Sequence, residues 1–336
     1  MKKIFSIVAF TVSFSSSFAQ SAEDKSMKQK IALMKAHYMD SLAWNIPILR
    51  QAGLSTEVFA PGNIKSNLKG NSFFEGKYQT VRTNAYFNVP ILHVKKNILS
   101  GGVGVSHQTM HLYNVTSYDP SLPLGTLQSH NTLAGASLTF THVDSLFKHP
   151  VVYSVSVNGL IDPVTGQYRL AASGVMSLTI RRTQNTTISL GLIALLDPTA
   201  PAPVIPFISY YHRFKHGLSF FLDPSAIALR KELNAKNSIS LSNNISGNIS
   251  LFKRDIVNLP INQVYSTFEM KSGLIYERLL TSKTVFSIGT GISTTFTSKV
   301  SGDNNKNNSF IKNTQSMVPY IKIGISFLPF WKGLAH

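Results

Sequence analysis

Cysteine is absent from the 336 residues, so an exported form of this chain cannot be held together by disulfides. Charge is also scarce: 14% of residues are Asp, Glu, Lys or Arg, against roughly 25% in an average soluble domain. The shortage falls on acids, 15 against 32 Lys and Arg, giving a formal net charge of +17. Beyond the first residues no apolar run reaches the ~18 residues of a transmembrane helix. A Gly-rich phosphate loop is missing too, because Gly101, Gly102 and Gly104 sit in a strand-like run with no helix after them.

What is present begins with Lys2 and Lys3, an apolar run from Ile4 to Phe14, and a Ser/Ala-rich stretch ending near Ala19. A basic region, an apolar region and small residues in that order describe a secretory signal peptide over 1–19. No cysteine follows it, so no lipid anchor is expected. Loss of Lys2 and Lys3 lowers the net charge to +15 (17 − 2). Export turns the basic balance away from nucleic acid and toward an anionic membrane surface or anionic solutes.

The rest of the chain is dominated by alternation. In 168–182 Tyr168, Leu170, Ala172, Gly174, Met176, Leu178 and Ile180 interleave with Arg169, Ala171, Ser173, Val175, Ser177, Thr179 and Arg181. In 238–252 Ile239, Leu241, Ile245, Ile249 and Leu251 interleave with serines and asparagines. Successive strand residues face opposite ways, so each run has one apolar and one polar surface. The runs are about twice the usual soluble strand and match the 9–11 residues of a tilted strand crossing a bilayer.

Fourteen such runs are readable, with the first and the two flanking Asp223–Pro224 the weakest, so 12–14 strands are expected. Short connections (such as Thr183–Asn185 and Asn234–Asn237) interleave with longer ones (such as Pro61–Lys77, Asp197–Pro203 and Lys299–Ser316). That rhythm predicts an all-β, antiparallel up-and-down transmembrane β-barrel over 54–336, with short periplasmic turns and long outer loops. A soluble two-sheet sandwich is the competing fold. It is disfavoured by the length of the runs and by polar faces too wet to seal a core. Residues 20–53 carry the one helical spacing, Met27, Ile31, Met34 and Tyr38, and read as a partly helical periplasmic segment.

If the apolar faces meet lipid, Arg82, Arg169, Arg181, Glu269, Lys271, Glu277 and Lys322 point into the lumen, since charge on a lipid face is costly. They read either as a selective constriction or as a salt-bridged filling of a narrow barrel. Near the C-terminus Lys322, Gly324, Phe327 and Phe330 resemble the terminal-strand signal read by the barrel assembly machinery, with Pro329 and the tail to His336 departing from it. Tyr78, Tyr265, Tyr320 and Trp331 are among the aromatics expected in interfacial girdles. Catalytic chemistry finds little footing. Ser106–His107 and Ser129–His130 are adjacent and must face opposite ways on a strand, and His142, Asp144, His149, His212 and His216 match no standard metal spacing. No cofactor and no metal are expected.

The mature chain resembles outer-membrane β-barrel proteins of unassigned activity found in Bacteroidota. The likeness lies in its Asn/Lys/Ser-rich strands, in the segment Pro203-Val-Ile-Pro-Phe-Ile-Ser-Tyr-Tyr-His-Arg-Phe214 and in Leu222-Asp-Pro224. It implies an outer-membrane location, with membrane lipids, lipopolysaccharide and the assembly machinery as partners. Three functions are expected in descending order: a pore or transporter for small solutes or lipids, a non-transporting barrel with a filled lumen, and a lipid-modifying enzyme.

Overall fold

The computed structural model describes residues 39–119, 126–197, 202–253, 259–302 and 309–330. The expected signal peptide, residues 20–38 and Trp331 lie outside them. In chain order the strands are β1 (Ala52–Phe59), β2 (Gly62–Leu68), β3 (Asn71–Val94), β4 (Asn97–Ser117), β5 (Leu127–Leu146), β6 (His149–Ile161), β7 (Tyr168–Arg182) and β8 (Thr186–Leu196). They continue as β9 (Val204–Arg213), β10 (Leu218–Asp223), β11 (Ala226–Asn234), β12 (Asn237–Lys253), β13 (Asn262–Leu279), β14 (Thr284–Gly302), β15 (Ser309–Gln315) and β16 (Val318–Phe327).

Every pairing is antiparallel, β3 to β14 follow one another around the sheet, and β1 closes the ring by pairing with both β3 and β16. Two walls are interrupted at one height. Pro61 has no N–H for the ladder and separates β1 from β2, while Ser316 and Met317 separate β15 from β16. The breaks face each other and are stitched by Ala60 N–H to Pro319 O (2.8 Å) and Ser316 N–H to Asn63 O (3.0 Å). β2 then pairs with β15 just as β1 pairs with β16. The sixteen segments, less these two joints, make a barrel of fourteen strands.

Alternation sets the two surfaces. On β1 Glu57 and Phe59 are buried while Leu54 and Val58 are exposed. The same holds around the ring, where Val103, Val105, Leu138, Phe140, Val155, Val157, Leu192, Leu241, Ile292 and Ile321 are all exposed on the outside. A closed sheet that shows an apolar belt outward and buries charge inward is a soluble barrel turned inside out.

Residues 94–97, 146–149, 182–186, 213–218, 234–237 and 279–284 form tight turns at one end. There Lys95, Phe147 and Lys148 take positive φ, as tight hairpins require. At the other end Pro61–Lys77, expected to be an outer loop, is instead β2, a turn at Lys69–Gly70 with φ of 50° and 96°, and the start of β3. Lys299–Ser316 likewise carries the tips of β14 and β15. Pairing of β2 with β15 supplies the hydrogen bonds that make these tips strand.

Candidate functional site

A circular ring of fourteen strands, spaced ~4.8 Å and tilted ~40°, would be about 28 Å across. This barrel is far from circular inside. β12 comes within 8 Å of β5 across the lumen, Cα to Cα. Asn131 Nδ2 donates to Leu251 O (2.6 Å), Asn248 Nδ2 to Gln108 Oε1 (2.8 Å) and Gln167 Nε2 to Gln263 O (3.4 Å). Leu133 on β5 packs with Leu251 and Val264 from β12 and β13. These contacts tie the outer part of β12–β13 to β4 and β5 across the lumen.

On the β1/β3/β13–β16 side the interior is filled in layers. Midway, Arg82 on β3 binds Glu269 on β13 through both Nη atoms (3.1 Å each) and donates from Nε to Gln108 Oε1 (3.0 Å). Thr267 Oγ1 donates to Glu269 Oε1 (2.9 Å). Glu57 on β1 takes Lys271 on one oxygen, Lys322 at 3.3 Å on the other, and has Arg82 at 3.8 Å. Arg82 and Lys271 also approach the Phe59 ring, at 5.4 and 5.5 Å from its centroid. Gly273 and Gly291 face each other beside this layer, and a Cβ on Gly273 would lie 2.1 Å from Thr290 O. Only glycine permits that approach. Above the charges lies an apolar layer of Phe59, Ile64, Tyr78, Val318 and Tyr320. A cavity of about 20 Å³ between the two is lined by Tyr78, Thr80, Arg82, Gln108, Tyr265 and Glu269, room for about one water.

At the turn-rich end the segment before β1 packs against β11, β13, β14 and the end of β16. Residues 39–45 are helical and Pro47–Leu49 form a short 3-10 turn. Ala43 and Trp44 pack with Val285 and Leu328 inside the mouth. Arg50, 4% exposed, donates from Nη1 to Glu277 Oε1 (2.7 Å) and Ser326 Oγ (3.1 Å), and from Nε to Ala43 O (3.2 Å). Arg230 takes the other Glu277 oxygen and stacks on Trp44, 4.8 Å from the ring centroid. Its Nε and Nη2 have no acceptor among the described residues.

The β6–β9 side differs. By register its inward positions are Ser154, Ser156, Asn158, Ser173, Val175, Ser177, Ile193, Leu195, Ile205 and Phe207, all half-buried. These uncharged side chains, Ser and Asn on β6 and most of β7 and apolar on β8 and β9, line a lobe beside that contact. Its outer end carries Arg169, bonded to Asp197.

Of the charges read from sequence, Arg82, Glu269, Lys271 and Lys322 share one cluster, Glu277 belongs to the lower one, and Arg169 stands at the outer end of the lobe. Arg181 is a correction. A bulge between Thr179 and Arg181 pairs it with Ile188, whose neighbour Ser189 is buried, so Arg181 turns outward and is exposed. Sequence reasoning missed Glu57, Arg50 and Arg230. Glu57 and Arg230 alternate with outward Val58 and Leu229, a legible signal in runs judged too short to trust. Arg50 precedes its strand and had no periodic signal. Tyr78, Tyr265 and Tyr320, expected in a girdle, are interior, and Tyr265 Oη joins Ser298 and Gln315. Lys322 and Gly324 face inward on β16, and Phe327 ends it, edge-on to Phe330, which stacks on Phe87 (6.0 Å). Ser106 faces inward and His107 outward, as their register demands. His142 bonds Asn97 (2.7 Å) and His212 bonds Thr186 (2.8 Å).

No protein-family model and no curated protein matches the chain. Among solved structures it is similar to an outer membrane channel from Pseudomonas putida F1 (9% identity, 83% of this chain and 96% of that one, TM-score 0.34). It is similar also to the Pseudomonas putida toluene transporter TodX (10%, 83% and 88%, TM-score 0.32) and to the translocator domain of the autotransporter NalP from Neisseria meningitidis (11%, 91% and 98%, TM-score 0.30). These neighbours are outer-membrane β-barrel proteins, and at such scores they add no functional argument.

Proposed function

We propose that this chain is a bacterial outer-membrane barrel, exported by residues 1–19, whose lumen is a plugged, anion-preferring passage for small solutes. The observation that carries the reading is the division of the interior. One side is locked by ion pairs, the other is lined by uncharged half-buried side chains, and residues 39–51 pack into the mouth on the ion-paired side. The middle cluster holds Arg82, Lys271 and Lys322 against Glu57 and Glu269, and the lower one Arg50 and Arg230 against Glu277. Each has one cation in excess, and a low-dielectric wall focuses that charge on passing solutes. Chemistry on the solute has no part in this reading. Membrane lipids and lipopolysaccharide surround the belt, and the Lys322–Phe330 segment serves recognition by the assembly machinery.

Planar-bilayer recording tests it. Wild type conducts weakly. Arg50→Ala, which frees the stopper from Glu277 and Ser326, raises single-channel conductance several-fold, with anions favoured over cations. Silence from both proteins, each shown folded, sinks the passage and favours a second reading supported by the buried pairs: a non-transporting barrel whose filled lumen stiffens its outer strand tips.

A further inference from the structure

Above the apolar belt the outer surface carries a row of cations on six neighbouring strands. Ile64 and Ser66 are buried, which turns Lys65 outward; Tyr78 is buried, which turns Lys77 outward; Ser298 and Val300 are buried, which turns Lys299 outward. Register then sets Lys299 on β14 directly opposite Lys312 on β15. The row runs on through Lys65 on β2, Lys77 on β3, His111 on β4 and His130 on β5, in adjoining positions of the ladder.

Two physical points make this more than decorated surface. Like charges directly opposite each other across a ladder are destabilising, yet Lys299 faces Lys312. Lys65 is held by Glu75 (3.1 Å), but Lys77, Lys299 and Lys312 make no ion pair with any described residue. An anion lying between them would remove the repulsion. The height of the row says which anion. On β3 exposed Val81 lies four residues below Lys77, and on β14 exposed Phe296 lies three below Lys299. At ~3.3 Å per residue and ~40° of tilt that is about 8–10 Å above the belt. Headgroups occupy the layer of roughly 5–8 Å outside the hydrocarbon, and lysine stems reach back toward it.

We propose that this row is a lateral binding site for phosphate-bearing lipid headgroups of the outer leaflet, gripped chiefly by Lys77, Lys299 and Lys312. The proposal rests on the outer-membrane reading above and deepens it by naming the lipid chemistry and the wall that holds it. A site of this kind weakens as salt rises. It prefers a phosphomonoester lipid, with its higher charge, over a zwitterionic one.

The test is native mass spectrometry of the folded, detergent-solubilised protein titrated with phosphatidic acid, with phosphatidylcholine and inorganic phosphate as further probes. Folding is checked on the same samples by heat-modifiable gel mobility. The K77Q/K299Q/K312Q variant is compared with K95Q/K148Q/K236Q, which removes three exposed turn lysines from the opposite end. Each lysine near an anionic surface contributes about fivefold in affinity, so the upper variant loses at least tenfold in phosphatidic acid occupancy while the lower one keeps it. Equal occupancy in all three folded proteins, or equal loss in both variants, overturns the site. Displacement of the lipid by an equal concentration of inorganic phosphate also overturns it, in favour of a plain anion site. A chain that stays soluble without detergent overturns the membrane reading itself.

Discussion

Arg82→Met removes the guanidinium that crosses the lumen while keeping most of its volume. In the folded barrel this strands Glu269, 5% exposed, with Thr267 Oγ1 as its remaining hydrogen-bond donor. It also frees Gln108 Oε1 from one of two donors, leaving Asn248. Breaking a buried pair from one side costs about 3–5 kcal/mol, because an uncompensated charge is left behind. At 1.4 kcal/mol per tenfold, that lowers the folding constant by roughly two to three and a half orders of magnitude. Removing both charges, in Arg82→Met/Glu269→Leu, leaves nothing stranded, and replacement of a buried pair by apolar groups of similar volume is often neutral. The double variant is therefore expected to recover most of the loss. Urea titration in lipid vesicles, with folded fraction read from gel mobility, measures all three proteins against wild type. A single variant within about 1 kcal/mol of wild type, or a double variant no better than the single, refutes the claim that this pair holds the walls together.

Glu57→Gln leaves Arg82, Lys271 and Lys322 around a neutral amide; a destabilisation of about 3 kcal/mol or more in the same titration is expected, and an unchanged midpoint would count against the central role of Glu57. Gly273→Val forces a side chain onto the backbone of β14 and should abolish folding or weaken it by several kcal/mol, as gel mobility will report; a wild-type mobility shift would disprove the close approach. Leu241→Arg places a charge on the apolar belt, where depth-dependent costs of about 2–4 kcal/mol are expected in bilayers; no change would contradict lipid contact at β12. In a Trp331→Phe background Trp44 is the sole tryptophan, because the chain has 2, and excitation at the red edge selects it over tyrosine. Its emission should be blue-shifted and poorly quenched by acrylamide until Arg50→Ala releases it, and strong quenching in the wild-type lumen would contradict the stopper.

Most of the barrel was legible because a two-residue period separates lipid from lumen along every long strand. Even the strand number survives, since β1–β2 and β15–β16 each count as one wall once their breaks are seen to coincide. The outer tips were not legible. Pro61 and the polar stretch after it read as loop, and their pairing both with β3 and with β15, about 250 residues away, makes them strand. At the candidate site, Glu269, Lys271 and Glu277 could be placed on one face of β13, but not their separation into two clusters. That separation depends on Arg50 and Glu57, just before and in β1, and on Arg230 from β11. Arg181 was misplaced for a local reason, since alternation cannot announce a bulge. The pinching of the walls depends on single side chains such as Asn248 and Asn131, whose type marks a polar lining and says nothing of what lies across it.

The seam between β1 and β16 joins the first and last walls of the ring. Glu57 and Lys322 sit directly opposite each other there. A slip of one residue that turned Glu57 outward would carry its charge to the lipid side and leave Lys271 and Lys322 without their carboxylate inside. The wrong closures are thus costly and the right one satisfies every partner at once. The ion pairs that fill the lumen thereby favour one register at the joint where the sheet has no neighbouring hairpin to set it.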